Sequence, residues 1–255
     1  VMIELVTKVD MSIYTMLQFS LITGSYWAFT LTDGALRMLV VLYFHELGYS
    51  PLDIALLFLF YEMFGVVTNL FGGWIAARTG LAATLIGGLW LQVVALAMLL
   101  VDPSMLTIAY VMAAQALSGI AKDLNKMSAK SSVKLLVGNS EGRLYRWVAW
   151  LTGSKNALKG LGFFAGGASL SAFGFSTSIA GMALGLSVIA AATLVFLDRE
   201  MGKASFKPKF SNLWSKSPQI NMLSAARLFL FGSRDVWFVV ALPVFLPLEL
   251  GWSSI

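Results

Sequence analysis

The chain has 255 residues, 58% of them hydrophobic and only 12% charged, with a formal net charge of +5 and a mean hydropathy of +0.79. A water-soluble domain carries about 25% charged residues, so these cannot coat a soluble globule; the excess of lysine and arginine reads as the basic cytoplasmic face of a membrane protein and asks for no nucleic acid. With no cysteine and a single histidine, His45, the chain offers no disulfide, thiolate metal site or imidazole cluster. No Walker-type loop or metal-ligand spacing occurs either, so the expectation is a non-enzyme without cofactor or metal.

Seven apolar runs, at 17–44, 52–77, 81–101, 104–127, 146–171, 177–197 and 219–247, each reach the roughly 20 residues that span a bilayer as a helix. Alternating segments of about 10 residues, the mark of a membrane barrel, are absent from the pattern. The fold class expected is therefore all-α and integral to the membrane. The N-terminus lacks a basic, apolar and small-residue succession of the signal-peptide kind, so 1–16 reads as a cytoplasmic segment and the first helix as its own insertion signal.

Basic residues fall in alternate loops: Arg78; Lys130, Lys134 and Arg143; then Arg199, Lys203, Lys207, Lys209 and Lys216. The intervening loops hold His45, Glu46, Asp102 and Glu249. Positive charge stays inside, so the N-terminus is expected in the cytoplasm of a bacterial inner membrane.

The first helix carries Asp33 and Arg37 at i, i+4, a spacing that permits an ion pair on one face; Asp33 reads equally as a proton-coupling carboxylate. Tyr26 and Trp27 lie deep enough to line a cavity or to pack in the core. Ser50, Pro51 and Asp53 open the second helix with an N-cap, proline at N1 and an acid in the first turn. Glu62 has no base three or four residues away and must be protonated, face a cavity or find a partner on another helix. In the fourth run Lys122 and Lys126 share a face, with Asp123 placed to neutralise one of them.

The fifth run, with "LTGSKNALKG", sets Lys155 and Lys159 one turn apart, with Asn156 between them, and no acid follows before Asp198. Ionisable groups at such depth are costly and so are functional candidates. Either carboxylates of other helices or an anionic solute must neutralise the two lysines. Arg37, Lys155, Lys159, Arg227 and Arg234 oppose only Asp33, Glu62 and Asp235, with Lys126 close by, so the expected cavity is net positive and the expected partner a small anion. Gly162 and Gly166 form a GxxxG pair for close helix approach, a role also assigned to Gly73. Trp147, Trp150, Trp214, Tyr49 and Trp252 read as interfacial belt residues.

The polar stretch 198–218 reads as a basic cytoplasmic linker between a six-helix bundle, 17–197, and the first helix of a second bundle, 219–255. Glu46-Leu47-Gly48-Tyr49-Ser50 is echoed by Glu249-Leu250-Gly251-Trp252-Ser253, a weak repeat of the kind two-fold transporters carry. On that register the chain is expected to be truncated at its C-terminus.

The loop "GGWIAARTGLA", with Gly73, Arg78 and Gly80, resembles the signature between helices two and three of the major facilitator superfamily, departing from it at Ala77, Leu81 and Ala82. Longer blocks, "YWAFTLTDGALRMLVVL", "AAQALSGIAKDLNKMSAKS", "LTGSKNALKG" and "SAARLFLFGSRDVWFVVALPVFL" among them, resemble organoarsenical efflux permeases of the ArsJ type. The resemblance implies export of 1-arseno-3-phosphoglycerate, made when glyceraldehyde-3-phosphate dehydrogenase accepts arsenate, and hence arsenate resistance; the intramembrane acids and bases, read by their charge, add proton antiport as the expected coupling. The residues expected to hold the anion are Lys155, Lys159, Asn156, Arg37, Arg234, Lys126 and Arg227; those expected to carry the proton are Asp33, Glu62 and Asp235. Export of another phosphate ester or organic anion fits the same cations, and a truncated chain could also be inactive.

Overall fold

The computed structural model describes residues 2–137, 141–203 and 217–235. Among them every regular element is helical: α1 (Met2–Glu46), α2 (Pro51–Leu57), α3 (Leu59–Thr79), α4 (Leu81–Met98), α5 (Ile108–Val137), α6 (Glu141–Phe173), α7 (Phe175–Phe196) and α8 (Pro218–Asp235), with a 3-10 turn at Pro103–Met105. Among the described residues four segments are long and apolar enough to cross a membrane by themselves: Ile13–Glu46, Pro51–Thr79, Leu81–Met98 and Phe175–Phe196. α5 and α6 have the length but carry the lysines, and they are held in the bundle by their neighbours. The chain is a multi-pass membrane protein: α7 turns Leu184, Val188 and Val195 outward, an apolar surface stable in hydrocarbon.

Local sequence sets most boundaries. The capping box at the start of α2 forms as its residues dictate: the Asp53 N–H donates to Ser50 Oγ at 3.2 Å and the Ser50 N–H to Asp53 Oδ2 at 3.2 Å. Gly80, at φ +97°, lets α3 turn into α4 within one residue. Asp102 caps the 3-10 turn, and the Ser104 hydroxyl and N–H that donate to it hold its carboxyl below the usual carboxylate range. The segment 1–16 is helical from Met2 and continuous with the first span in α1. One expectation changes. The run 52–77 is not one helix, since the backbone breaks at Phe58 between α2 and α3.

α1 lies along α6 and also meets α5 and α7; α5 packs on α3 and α4, and α4 on α7. The α1–α6 contact is close because both sides are small. A Cβ on Gly162 would stand 2.6 Å from the Leu31 carbonyl oxygen, and one on Gly166 would stand 2.5 Å from that of Ala35, so the GxxxG pair sits at the crossing with α1. Gly73 differs from its expected role, being exposed with open space around it; the buried neighbour Gly72 instead meets Met127 of α5. Trp147 and Trp150 also do more than line an interface, since both pack on Phe19 of α1, with ring centroids at 3.9 and 6.4 Å.

Two apolar clusters fill the bundle. One joins Phe29, Leu36, Phe44, Leu57, Leu96 and Ile179; the other joins Phe19, Ile22, Tyr26, Leu85, Val133 and Leu151. Polar side chains gather where the two meet.

Candidate functional site

Between the clusters lies a small, partly open recess of about 30 Å³, lined by Tyr26, Phe29, Thr30 and Asp33 of α1, Lys122 and Lys126 of α5, and Lys155 and Lys159 of α6. Helix geometry explains the convergence. Residues 26, 29, 30 and 33 recur at three and four, as do 122 with 126 and 155 with 159, so each helix presents one stripe. α6 begins at Glu141, earlier than expected, which places Lys155 and Lys159 roughly 21 and 27 Å along its axis, near its middle.

The crossing of α1 and α6 falls at this level: a Cβ on Gly34, next to Asp33, would lie 2.8 Å from the Lys159 carbonyl oxygen. On the other side, α5 reaches α3 because Gly119 abuts the Tyr61 backbone, where a Cβ would collide with the Tyr61 carbonyl. Glycines thus bring three cation-bearing or acid-bearing stripes within reach of one another.

The ionic partners differ from those a single-helix reading gives. Arg37 does not pair with Asp33. Its Nη2 donates to Glu62 Oε1 at 2.5 Å, and Lys122 Nζ donates to Glu62 Oε2 at 3.3 Å. Glu62 therefore finds its partner on other helices, one of the outcomes open from sequence. Asp33 instead accepts from the Tyr61 hydroxyl at 2.6 Å. Tyr61, fully buried, stands among these groups: the Arg37 guanidinium lies 4.2 Å and the Lys122 ammonium 4.0 Å from its ring centroid. Asp123, almost wholly buried, takes Lys126 at 2.9 Å and lies 4.0 Å from Lys122.

Lys155 and Lys159 are half-buried, and among the described side chains neither has a carboxylate within ion-pair distance. The Lys159 ammonium lies 5.7 Å from the Phe163 ring. Tyr26 adds a buried hydroxyl without a hydrogen-bond partner. Around the recess five cations, Arg37, Lys122, Lys126, Lys155 and Lys159, face three acids, Asp33, Glu62 and Asp123.

Of the expected anion-binding residues, Lys155, Lys159 and Lys126 line the recess, with Lys126 already paired. Arg37 stands behind it on Glu62, and Asn156 is exposed on α6 and does not line it. The side chains of Arg227, Arg234 and Asp235 lie outside those described, as does the repeat at Glu249. In the loop, Arg78 is exposed over the Trp74 ring, 4.9 Å from its centroid, and the Leu81 N–H after Gly80 donates to the Met201 carbonyl at 3.1 Å, docking the loop on the segment after α7. Tyr61 is a residue of the site that its sequence context alone does not mark. Its one signal was position: a tyrosine beside the lone acid of its helix, turned about 100° from it.

No family model matches the chain, and no curated protein matches it. Solved structures do. The crystal structure of peptide transporter POT in complex with sulfate, and that of a mutant of it in the same complex, each superpose with a TM-score of 0.59 at 17% identity. Each match covers 93% of this chain and 47% of the other, so the chain spans about half the length of the structures it matches. At that identity the likeness carries the fold alone: an all-helical bundle arranged as in the matched part of those structures.

Proposed function

We propose that the chain belongs to a secondary transporter for a small organic anion, with Lys155 and Lys159 as the cargo-binding pair and the Tyr26 hydroxyl as a further donor. The observation that carries the reading is the pair itself: two ammonium groups one turn apart, mid-helix, lining a recess without an ion pair. Ionisable groups at that depth mark substrate and ion paths, and an anion would complete this pair with charge-assisted hydrogen bonds.

Within this reading the cargo is a phosphate ester. 1-Arseno-3-phosphoglycerate is the specific candidate, drawn from the resemblance and favoured by a recess whose charge suits a multiple anion. Asp33 is the proton-exchanging group, since it lines the recess while Glu62 is held by two cations. The direction is outward, with the N-terminus cytoplasmic in a bacterial inner membrane and the dehydrogenase supplying the cargo. A peptide, the cargo of the superposed peptide transporter, would need Asp33 as counterpart to its amino group; competition by a dipeptide against 3-phosphoglycerate separates the two.

The test is export from vesicles holding the full-length protein, wild type against Lys155→Met/Lys159→Met. Each lysine supplies a charge-assisted hydrogen bond, about tenfold in affinity, so transport at low cargo concentration should fall about a hundredfold. Undiminished export in the double variant refutes the site. Arsenate resistance that persists without the dehydrogenase refutes the arseno-ester, and insensitivity to an uncoupler refutes proton exchange.

A further inference from the structure

Asp33 and the two lysines line one recess, yet the carboxylate is bonded to neither ammonium. In a low-dielectric site opposite charges attract strongly, so something holds the acid away. The group that does so is on α3: the Tyr61 hydroxyl donates to Asp33 Oδ1 at 2.6 Å. Tyr61 is itself fixed. It is fully buried, its ring is contacted by Arg37 and Lys122, and its backbone is pinned by the close approach of Gly119. Arg37 and Lys122 are in turn held by Glu62, so the hydroxyl cannot follow Asp33 if it moves.

We infer that Tyr61 is a positioning residue for the anion site: its hydroxyl tethers the Asp33 carboxylate toward α3 and so keeps the chain's own acid from occupying Lys155 and Lys159. The inference rests on the proposed anion site and deepens it. Without the tether, Asp33 becomes an internal competitor for the cargo.

Tyr61→Phe is the direct test, because it keeps the ring, its packing and its contacts with both cations while deleting the one bond to Asp33. Binding is read by calorimetry with 3-phosphoglycerate as probe, on the detergent-purified full-length protein, for wild type, Tyr61→Phe, Asp33→Asn and Tyr61→Phe/Asp33→Asn. A bond to a charged group sets the scale at about tenfold. Tyr61→Phe should bind about tenfold more weakly than wild type. In the Asp33→Asn background the same change should have no effect, since no carboxylate remains to compete. A structural role for the hydroxyl predicts the same loss in both backgrounds, so an undiminished loss there overturns the inference, as does wild-type affinity in the single variant. If the wild-type protein binds no probe while its melting transition is intact, the anion site itself fails and the tether fails with it.

Discussion

Replacing Glu62 by glutamine probes the contact that joins three helices. Glu62 of α3 takes Arg37 of α1 on one oxygen, at 2.5 Å, and Lys122 of α5 on the other, at 3.3 Å. Removing one partner from a fully buried pair costs about 3–5 kcal/mol because a charge is left uncompensated, whereas exposed pairs contribute about 0–1 kcal/mol. These side chains are 20–32% exposed, which places the cost between those limits, at about 2–3 kcal/mol. On the scaling of chains this long the melting temperature should fall by about 5–10 °C, as read by tryptophan fluorescence in detergent. The variant also removes a negative charge beside an already positive recess, so 3-phosphoglycerate should bind more tightly as stability falls. An unchanged melting temperature would show that the triad does not hold α1, α3 and α5 together. Weaker binding with the fold intact would refute the net-positive recess.

Gly166→Ala tests the α1–α6 crossing: its Cβ would stand 2.5 Å from the Ala35 carbonyl oxygen, and real Cβ atoms keep at least 3.0 Å. The helices must part by about half an ångström, an overpacking cost of about 1–3 kcal/mol, which thermal melting measures. Asn156→Ala should leave probe binding unchanged within about twofold, since an exposed side chain outside the recess makes no bond to lose; calorimetry would reveal a contribution if one exists.

Much of the fold was legible because its signals are local. Apolar run length marks helices, Ser50, Pro51 and Asp53 mark a helix start, and Gly162 with Gly166 mark a close crossing, each through interactions spanning a few residues. The break at Phe58 carries no sequence signal, because apolar residues continue on both sides of it. Gly72 rather than Gly73 packs on α5, and the sequence does not separate the two because both are small and their immediate neighbours are apolar.

The site divides along the same line. Helical periodicity alone places Lys155 and Lys159 on one face of a long helix, and the sequence shows no acid near them on that helix. A sequence fixes which residues share a face of one helix, because 3.6 residues per turn is a property of the backbone. Which face of α3 turns toward α1 and α5 depends on side chains far apart in the chain, Gly119 against Tyr61 and Gly34 against Lys159. Only the tertiary structure could therefore give Arg37 to Glu62, set Tyr61 upon Asp33, and leave the two lysines without a carboxylate partner among the described side chains.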